Sequence, residues 1–192
     1  MRLPSTKESH SKGVGNEAWE MTNLAQLERQ KAELLSTIEG WSEARLAYRP
    51  EPGGWSTAEM LDHIVKVESG ILTAARSGLQ KPHRIGIRDR LGFLFVERVF
   101  KSDRRVKVPA SAAQVLPNKE PDLPGLLDRW RRTREELTLF VEQLSSNERK
   151  AGIFRHPVCG WMDIQRILDF FSVHILHHGF QLARLSAASE GF

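Results

Sequence analysis

Hydrophobic residues recur at intervals of three and four over four long stretches of the chain, which is the spacing of α-helices that bury one face. The pattern predicts helices over residues 18–38, from Thr57 onwards, over 123–144 and over 164–185. A proline-rich segment, residues 102–123, is predicted as a long loop. We therefore expect an all-α protein, a four-helix bundle with an extra short helix and a long crossover loop.

The start of the second helix is the boundary that the sequence defines best. Residues 49–54 contain prolines and glycines, which oppose a helix, and Ser56 followed by Glu59 forms a capping box that starts one. On the helix that follows, His63 lies on the inward-facing apolar stripe, whose other members are Met60, Ile64, Val67, Ile71 and Ala74.

The last predicted helix carries three histidines. His174 and His178 are four positions apart on its apolar stripe, so both imidazoles can bind one divalent ion. His177 is three positions from His174 and could chelate nearly as well, but it is interpreted as the flanking, more exposed one. With His63, the pair predicts a three-histidine site that leaves a fourth position for water or substrate. Such a spacing alone is a weak signal, because buried histidines often only satisfy a hydrogen bond.

Length and composition indicate the domain organisation and the cellular compartment. The chain has 192 residues, which suits one domain over residues 17–192 after a polar tail, residues 1–16, that we expect to be flexible. The single cysteine, Cys159, excludes an internal disulfide and is typical of a reducing cytosol. No leader-like segment or apolar run of membrane-spanning length is present, so we expect a cytoplasmic protein.

Basic residues are concentrated in the segment from 81 to 107, which holds nine Lys or Arg against three acids, interleaved with apolar residues. A basic amphipathic helix of this kind can bind a membrane surface or nucleic acid. The interspersed acids favour instead a short helix that covers the bundle with its basic side in solvent. Nucleic acid is therefore not a favoured partner.

Two motifs resemble those of the DinB/YfiT-like superfamily of metalloenzymes, and the resemblance covers about residues 20–188. The first motif leads into the second helix, and the second motif surrounds the final one. The first consists of Arg49-Pro50, Pro52-Gly53, Trp55-Ser56, Glu59-Met60-Leu61 and His63-Ile64. The second consists of His156-Pro157, Gly160, His174, His178 and Gln181.

This resemblance implies a DinB-like four-helix bundle, often a homodimer, with a divalent metal held by His63, His174 and His178. Zinc, nickel and manganese are the ions that it implies, and the substrate is a small molecule. The activities it implies are S-transfer dependent on a low-molecular-weight thiol and hydrolysis. Cys159 and His177 stand where the family more often has a large apolar and a basic residue, so the substrate is left open.

The leading hypothesis is a metal-dependent S-transferase or hydrolase in which the ion lowers the pKa of a bound thiol or water. His177, Glu59 and Gln181, in that order, are the candidates to assist by proton transfer or orientation. Cys159 is interpreted as a small buried hydrophobic residue rather than a nucleophile. The alternative is a non-catalytic stress- or damage-related binding protein that its metal stabilises.

Overall fold

The computed structural model describes the backbone of residues 10–191 and the side chains of residues 19–191. Over that part of the chain, there are six α-helices and one antiparallel hairpin of two short strands. The helices are α1 His10–Thr37, α2 Glu43–Ala47, α3 Thr57–Gly78, α4 Ile87–Phe100, α5 Leu123–Gln143 and α6 Ile164–Ala188. The strands are β1 Phe154–His156 and β2 Gly160–Met162.

The four long helices, α1, α3, α5 and α6, form the predicted bundle. α1 packs along α6, and α3 packs against both α5 and α6. Leu27, Leu61, Trp130 and Phe171, one from each long helix, are all at most 1% exposed. Each such side chain contributes about 1.5–3 kcal/mol through removal of apolar surface from water. The all-α bundle predicted from the periodicity is therefore confirmed.

The helix starts at Thr57 and Ile164 are confirmed by their caps. The Glu59 amide donates to Ser56 Oγ at 3.2 Å, and the Ser56 amide donates to Glu59 Oε2 at 2.9 Å, which completes the capping box. At the start of α6, the Arg166 amide donates to Asp163 Oδ1 at 2.9 Å. These caps fix the first turns of the two helices that carry the histidines.

The first helix starts earlier than its apolar pattern indicates. α1 begins at His10 rather than residue 18, so residues 10–16 of the predicted tail have helical backbone, and residues 1–9 lie outside the described part of the chain. Met21, an apolar residue within the predicted helix 18–38, is 53% exposed. Helical periodicity reports only the part of a helix that packs, so the polar first turns carry no such signal.

The hairpin before α6 is an element that the sequence pattern does not predict. Its strands have three residues each, too few for an alternating pattern to stand out. The turn is built by His156, whose Nδ1 accepts hydrogen bonds from the Val158 and Cys159 amides, both at 3.1 Å. Gly160 follows with φ of 73°, which glycine adopts without strain.

The long crossover between α4 and α5 is fastened to α3. It contains a short 3₁₀ helix, Ala110–Val115, in which no residue is buried. The Asn118 amide donates to Asp62 Oδ2 at 2.7 Å, and Lys66 Nζ donates to the Leu116 carbonyl at 2.9 Å. These bonds hold an otherwise exposed segment beside the histidine-bearing face of α3.

The extra short helix, α4, covers the bundle as predicted. Its inward residues Phe93 and Val96 are 7% and 5% exposed, and the helix packs against α6 and β2. Among the helices of the described residues, none combines the length and the apolar character that a bilayer crossing requires.

Candidate metal centre

Three imidazoles from two helices meet in the interior of the bundle. His174 Nε2 lies 3.3 Å from Nε2 of His63 and 3.1 Å from Nε2 of His178. All three side chains are buried, with 4–5% exposure. Their nitrogens lie within 4.8 Å of one another, so the set can hold one ion. The three predicted ligands are therefore brought together, although 111 positions separate His63 from His174.

The spacing of the nitrogens matches that of a shared ion. Two imidazole nitrogens that are each about 2.05 Å from an ion and subtend a tetrahedral angle are about 3.3 Å apart. The two measured separations, 3.1 and 3.3 Å, agree with this value. Three such donors are the protein ligands of an open site, in which a further position is available to water or substrate.

Two of the histidines are oriented by hydrogen bonds to their outer nitrogens. His63 Nδ1 donates to the Val115 carbonyl at 2.8 Å, and His178 Nδ1 donates to Gln181 Oε1 at 2.8 Å. Because Nδ1 holds the proton in both rings, each Nε2 presents a lone pair to the centre. Outer hydrogen bonds of this kind are the usual support of metal-binding histidines.

His174 is the third member of the centre, and it cannot donate a hydrogen bond to both of the other Nε2 atoms. A proton on its Nε2 can point at only one of the two neighbouring lone pairs, and its Nδ1 is buried without a hydrogen-bond partner. A cation accepts all three Nε2 lone pairs at once. The donor set therefore fits a divalent ion better than it fits a closed network of hydrogen bonds.

Burial keeps these imidazoles neutral. Removal from water lowers the pKa of His63, His174 and His178. For His174 and His178, repulsion between their charged forms and those of neighbouring histidines lowers it further. For His174 and His178 the pKa falls well below the ordinary value. Neutral imidazole is the form that binds metal.

The centre lies at the wall of an open cavity of about 1310 Å³. Trp55 covers one side of His63, with ring centroids 4.8 Å apart. Phe170 stacks on His174 with centroids 5.5 Å apart. A cavity of this size accommodates a small organic molecule beside the three imidazoles.

His177 is slightly more exposed than His174 and His178, as expected, but at 7% against 4% its side chain is also buried. Phe100, the last residue of α4, stacks on its ring with centroids 5.0 Å apart. His177 lines the same cavity, and its Nδ1 is buried without a hydrogen-bond partner. The periodicity of α6 places His177 at the edge of the buried stripe and gives no sign that α4 covers that edge.

Glu59 lies where its capping role puts it. Arg49 donates to both carboxylate oxygens, at 2.7 and 2.8 Å, and the Ser56 amide occupies Oε2 as well. Among the described residues that line the cavity of the histidines, Glu59 does not occur, whereas Gln181 does.

Burial shifts the pKa of two residues of the hairpin. Cys159 is 1% exposed, and burial raises the pKa of its thiol to about 12, which is the behaviour of the buried hydrophobic residue that was expected. His156 lines the cavity, and burial lowers the pKa of its imidazole to about 4. The sequence offers no signal for a cavity role of His156 beyond its place in the second motif.

The fold and the centre define a helical bundle with a three-histidine site open to a cavity. A family model for the DinB superfamily matches residues 26–182, and the chain belongs to that superfamily. The resemblance seen in the two sequence motifs is thereby confirmed.

A solved structure is similar over almost the whole chain. YfiT from Bacillus subtilis is 16% identical, with a TM-score of 0.61, and the match covers 97% of this chain and 92% of that one. YfiT is described as "a probable metal-dependent hydrolase with an unusual four-helix bundle topology". At this identity the likeness establishes the fold. No curated protein matches the chain in sequence.

Proposed function

We propose that this protein is a divalent-metal-dependent enzyme that acts on a small molecule, by hydrolysis or by transfer to a low-molecular-weight thiol. The observation that carries the proposal is the convergence of three neutral, buried Nε2 atoms at 3.1 and 3.3 Å beside an open cavity. The description of YfiT as a metal-dependent hydrolase supports the same class.

The ligands in this proposal are His63, His174 and His178. Imidazole donors suit zinc and nickel, and manganese is the third ion to test. A divalent ion in such a site lowers the pKa of a coordinated water or thiol, so that hydroxide or thiolate forms near neutral pH. Val115 and Gln181 keep two of the rings in the tautomer that binds the ion.

His177 is the proposed proton carrier. It lines the cavity, its ring centroid is 5.4 Å from that of His178, and its Nδ1 has no protein partner. Phe100 stacks on the ring with centroids 5.0 Å apart and fixes its plane. Glu59 is the second candidate. Its hydrogen bonds to Arg49 and Ser56 favour a supporting role, in which it caps the start of α3 and thereby helps to position His63.

Metal analysis of the purified protein tests the proposal first. We expect near one equivalent of zinc, nickel or manganese after separate re-supply in chelator-free buffer, and loss of that ion in His63→Ala and His178→Ala. His83→Ala is the matched control, because His83 is exposed and lies against Trp161 rather than in the cavity. Absence of stoichiometric metal from the wild type, or its retention by both ligand variants, contradicts the proposal.

Activity assays then separate the two reactions. Consumption of a thiol together with an electrophile indicates S-transfer, and cleavage of esters or amides without thiol indicates hydrolysis. His177→Asn is expected to lower kcat while metal remains bound, because the ligands are untouched. A metal-loaded protein that turns over neither class of substrate favours the non-catalytic, metal-stabilised binding protein. Sedimentation velocity tests the expected homodimer.

A further inference from the structure

The outer face of α4 exposes four large hydrophobic side chains. Ile87, Leu91, Leu94 and Phe95 are 77%, 60%, 58% and 64% exposed. Spacings of four and three residues place the first three in one stripe, and Phe95 follows Leu91 by four, so all four lie on one side of the helix. Isolated exposed hydrophobic residues are common, but a cluster on one helical face indicates a binding surface.

The same face is basic. Arg88, Arg90, Arg98 and Lys101 are all exposed, and their positions along the helix place them within or beside the apolar stripe. The two acids of α4 are engaged elsewhere. Glu97 pairs with Lys101 at 2.6 Å.

Asp89, the other acid, is turned toward the hairpin. Its carboxylate accepts the Gly86 amide at 2.7 Å and the Trp161 amide at 3.0 Å. Three arginines, Arg88, Arg90 and Arg98, therefore remain around the apolar stripe. Among the described residues, no acid of α4 forms an ion pair with them.

Neither of the two cavities described for residues 19–191 is lined by the four apolar residues on the outer face of α4. Val158, in the hairpin turn whose backbone lies against Gly92, is 48% exposed and extends the apolar surface sideways. An apolar helical face that lines neither cavity fits a deformable, planar partner better than it fits a peptide that needs a groove.

We propose that the outer face of α4 binds the surface of a membrane that contains anionic lipids. The four apolar side chains enter the boundary between head groups and acyl chains, and the arginines extend to the lipid phosphates and carboxylates. Charge argues against a second copy of the chain as the partner, because a two-fold pairing of this face places the arginines of the two copies close together. The four exposed hydrophobic side chains argue against nucleic acid, because a phosphate backbone makes no favourable contact with them.

Co-flotation of the full chain with vesicles tests this proposal. We expect binding to phosphatidylcholine vesicles that contain phosphatidylserine and about tenfold weaker binding, or more, to vesicles of phosphatidylcholine alone. The triple variant Leu91→Ser/Leu94→Ser/Phe95→Ser and the triple variant Arg88→Gln/Arg90→Gln/Arg98→Gln are each expected to lose about tenfold or more in partitioning.

A matched control replaces exposed residues of the same types on α5. Leu139 is 55% exposed, and the Arg132 side chain is 61% exposed, so Leu139→Ser/Arg132→Gln should fold and should bind vesicles like the wild type. The altered residues of all three variants are exposed, and thermal unfolding monitored by circular dichroism verifies that each is folded. Metal content reports separately on the histidine centre, so failure of the membrane proposal and failure of the metal proposal are distinguishable.

Three results overturn the proposal. The first is a wild type that does not bind anionic vesicles. The second is binding that the arginine variant loses but the apolar variant keeps, since this marks simple charge attraction and, with duplex DNA as competitor, a nucleic-acid site. The third is a dimer in sedimentation velocity that the apolar variant converts to monomer, since a second copy then covers the face.

Discussion

Gln181 fixes the tautomer of His178 from three residues further along α6, because its Oε1 accepts the Nδ1 proton of that ring at 2.8 Å. We predict that Gln181→Leu weakens metal binding by about 10–100-fold, because His178 loses the acceptor that directs its lone pair. Competition with a chromophoric chelator measures the affinity. Gln165→Leu, an exposed change near the start of the same helix, should leave it unaltered. Equal affinities in the two variants contradict this supporting role.

Cys159 should be inert in the folded protein. Its burial and a thiol pKa of about 12 leave almost no thiolate at neutral pH, and thiolate is the reactive form. Ellman's reagent is expected to label it only after denaturation, and Cys159→Ala should keep its metal. Cys159→Ala/Ser146→Cys provides an accessible thiol for reference, since Ser146 is exposed. Rapid labelling of the native wild type refutes the expectation.

His156 makes stability depend on pH. Its pKa is about 4 in the folded protein and near 6.5 when unfolded, so between these values the unfolded chain binds more protons. The free energy of unfolding is therefore unaffected by this group above the unfolded pKa, and it decreases as the pH falls toward 4. From about pH 7.5 to about pH 5 the loss is about 2 kcal/mol.

A single substitution isolates this contribution. In His156→Asn, the amide oxygen can still accept the Val158 and Cys159 amides, but it does not titrate. Urea unfolding at both pH values should show a loss about 2 kcal/mol smaller for the variant than for the wild type. The other histidines contribute equally to both proteins, so identical losses exclude His156 as the source.

The buried ion pair between α3 and α5 should matter far more than exposed pairs. Arg134 donates to both oxygens of Glu68 at 2.7 Å, and Trp130 Nε1 donates to the same carboxylate at 2.7 Å. Glu68→Ala leaves a guanidinium buried, so the free energy of unfolding should fall by about 3–5 kcal/mol. Glu136→Ala, which breaks the exposed pair with Arg76, should change it by less than about 1 kcal/mol. Denaturant unfolding compares them, and similar losses are inconsistent with this account.

Periodicity and capping were enough to predict the bundle and to place the three histidines. His63, His174 and His178 lie on apolar stripes, and a stripe must face the core whatever the details of packing. Ser56 and Glu59 mark the helix start locally, so their roles follow from four consecutive positions. An apolar stripe and a capping box each depend on residues of one helix, so they can be recognised from the sequence alone.

The parts that were missed depend on contacts between elements. His177 is buried because Phe100 of α4 covers it, and nothing in the pattern of α6 reports that neighbour. Val115 supports His63 through a backbone carbonyl, a group that every residue possesses. In α4 the apolar residues occur nearly all around the helix, so the pattern does not determine which of them remain in solvent.

The crossover between α4 and α5 orients one of the three histidines of the centre. Its 3₁₀ helix buries no side chain, yet the carbonyl of Val115 at its end receives the proton of a ligand ring. The orientation of the His63 ring therefore depends on the position of this exposed segment. We therefore expect a partner that contacts residues 110–115 from the solvent side to alter the affinity of the proposed metal site.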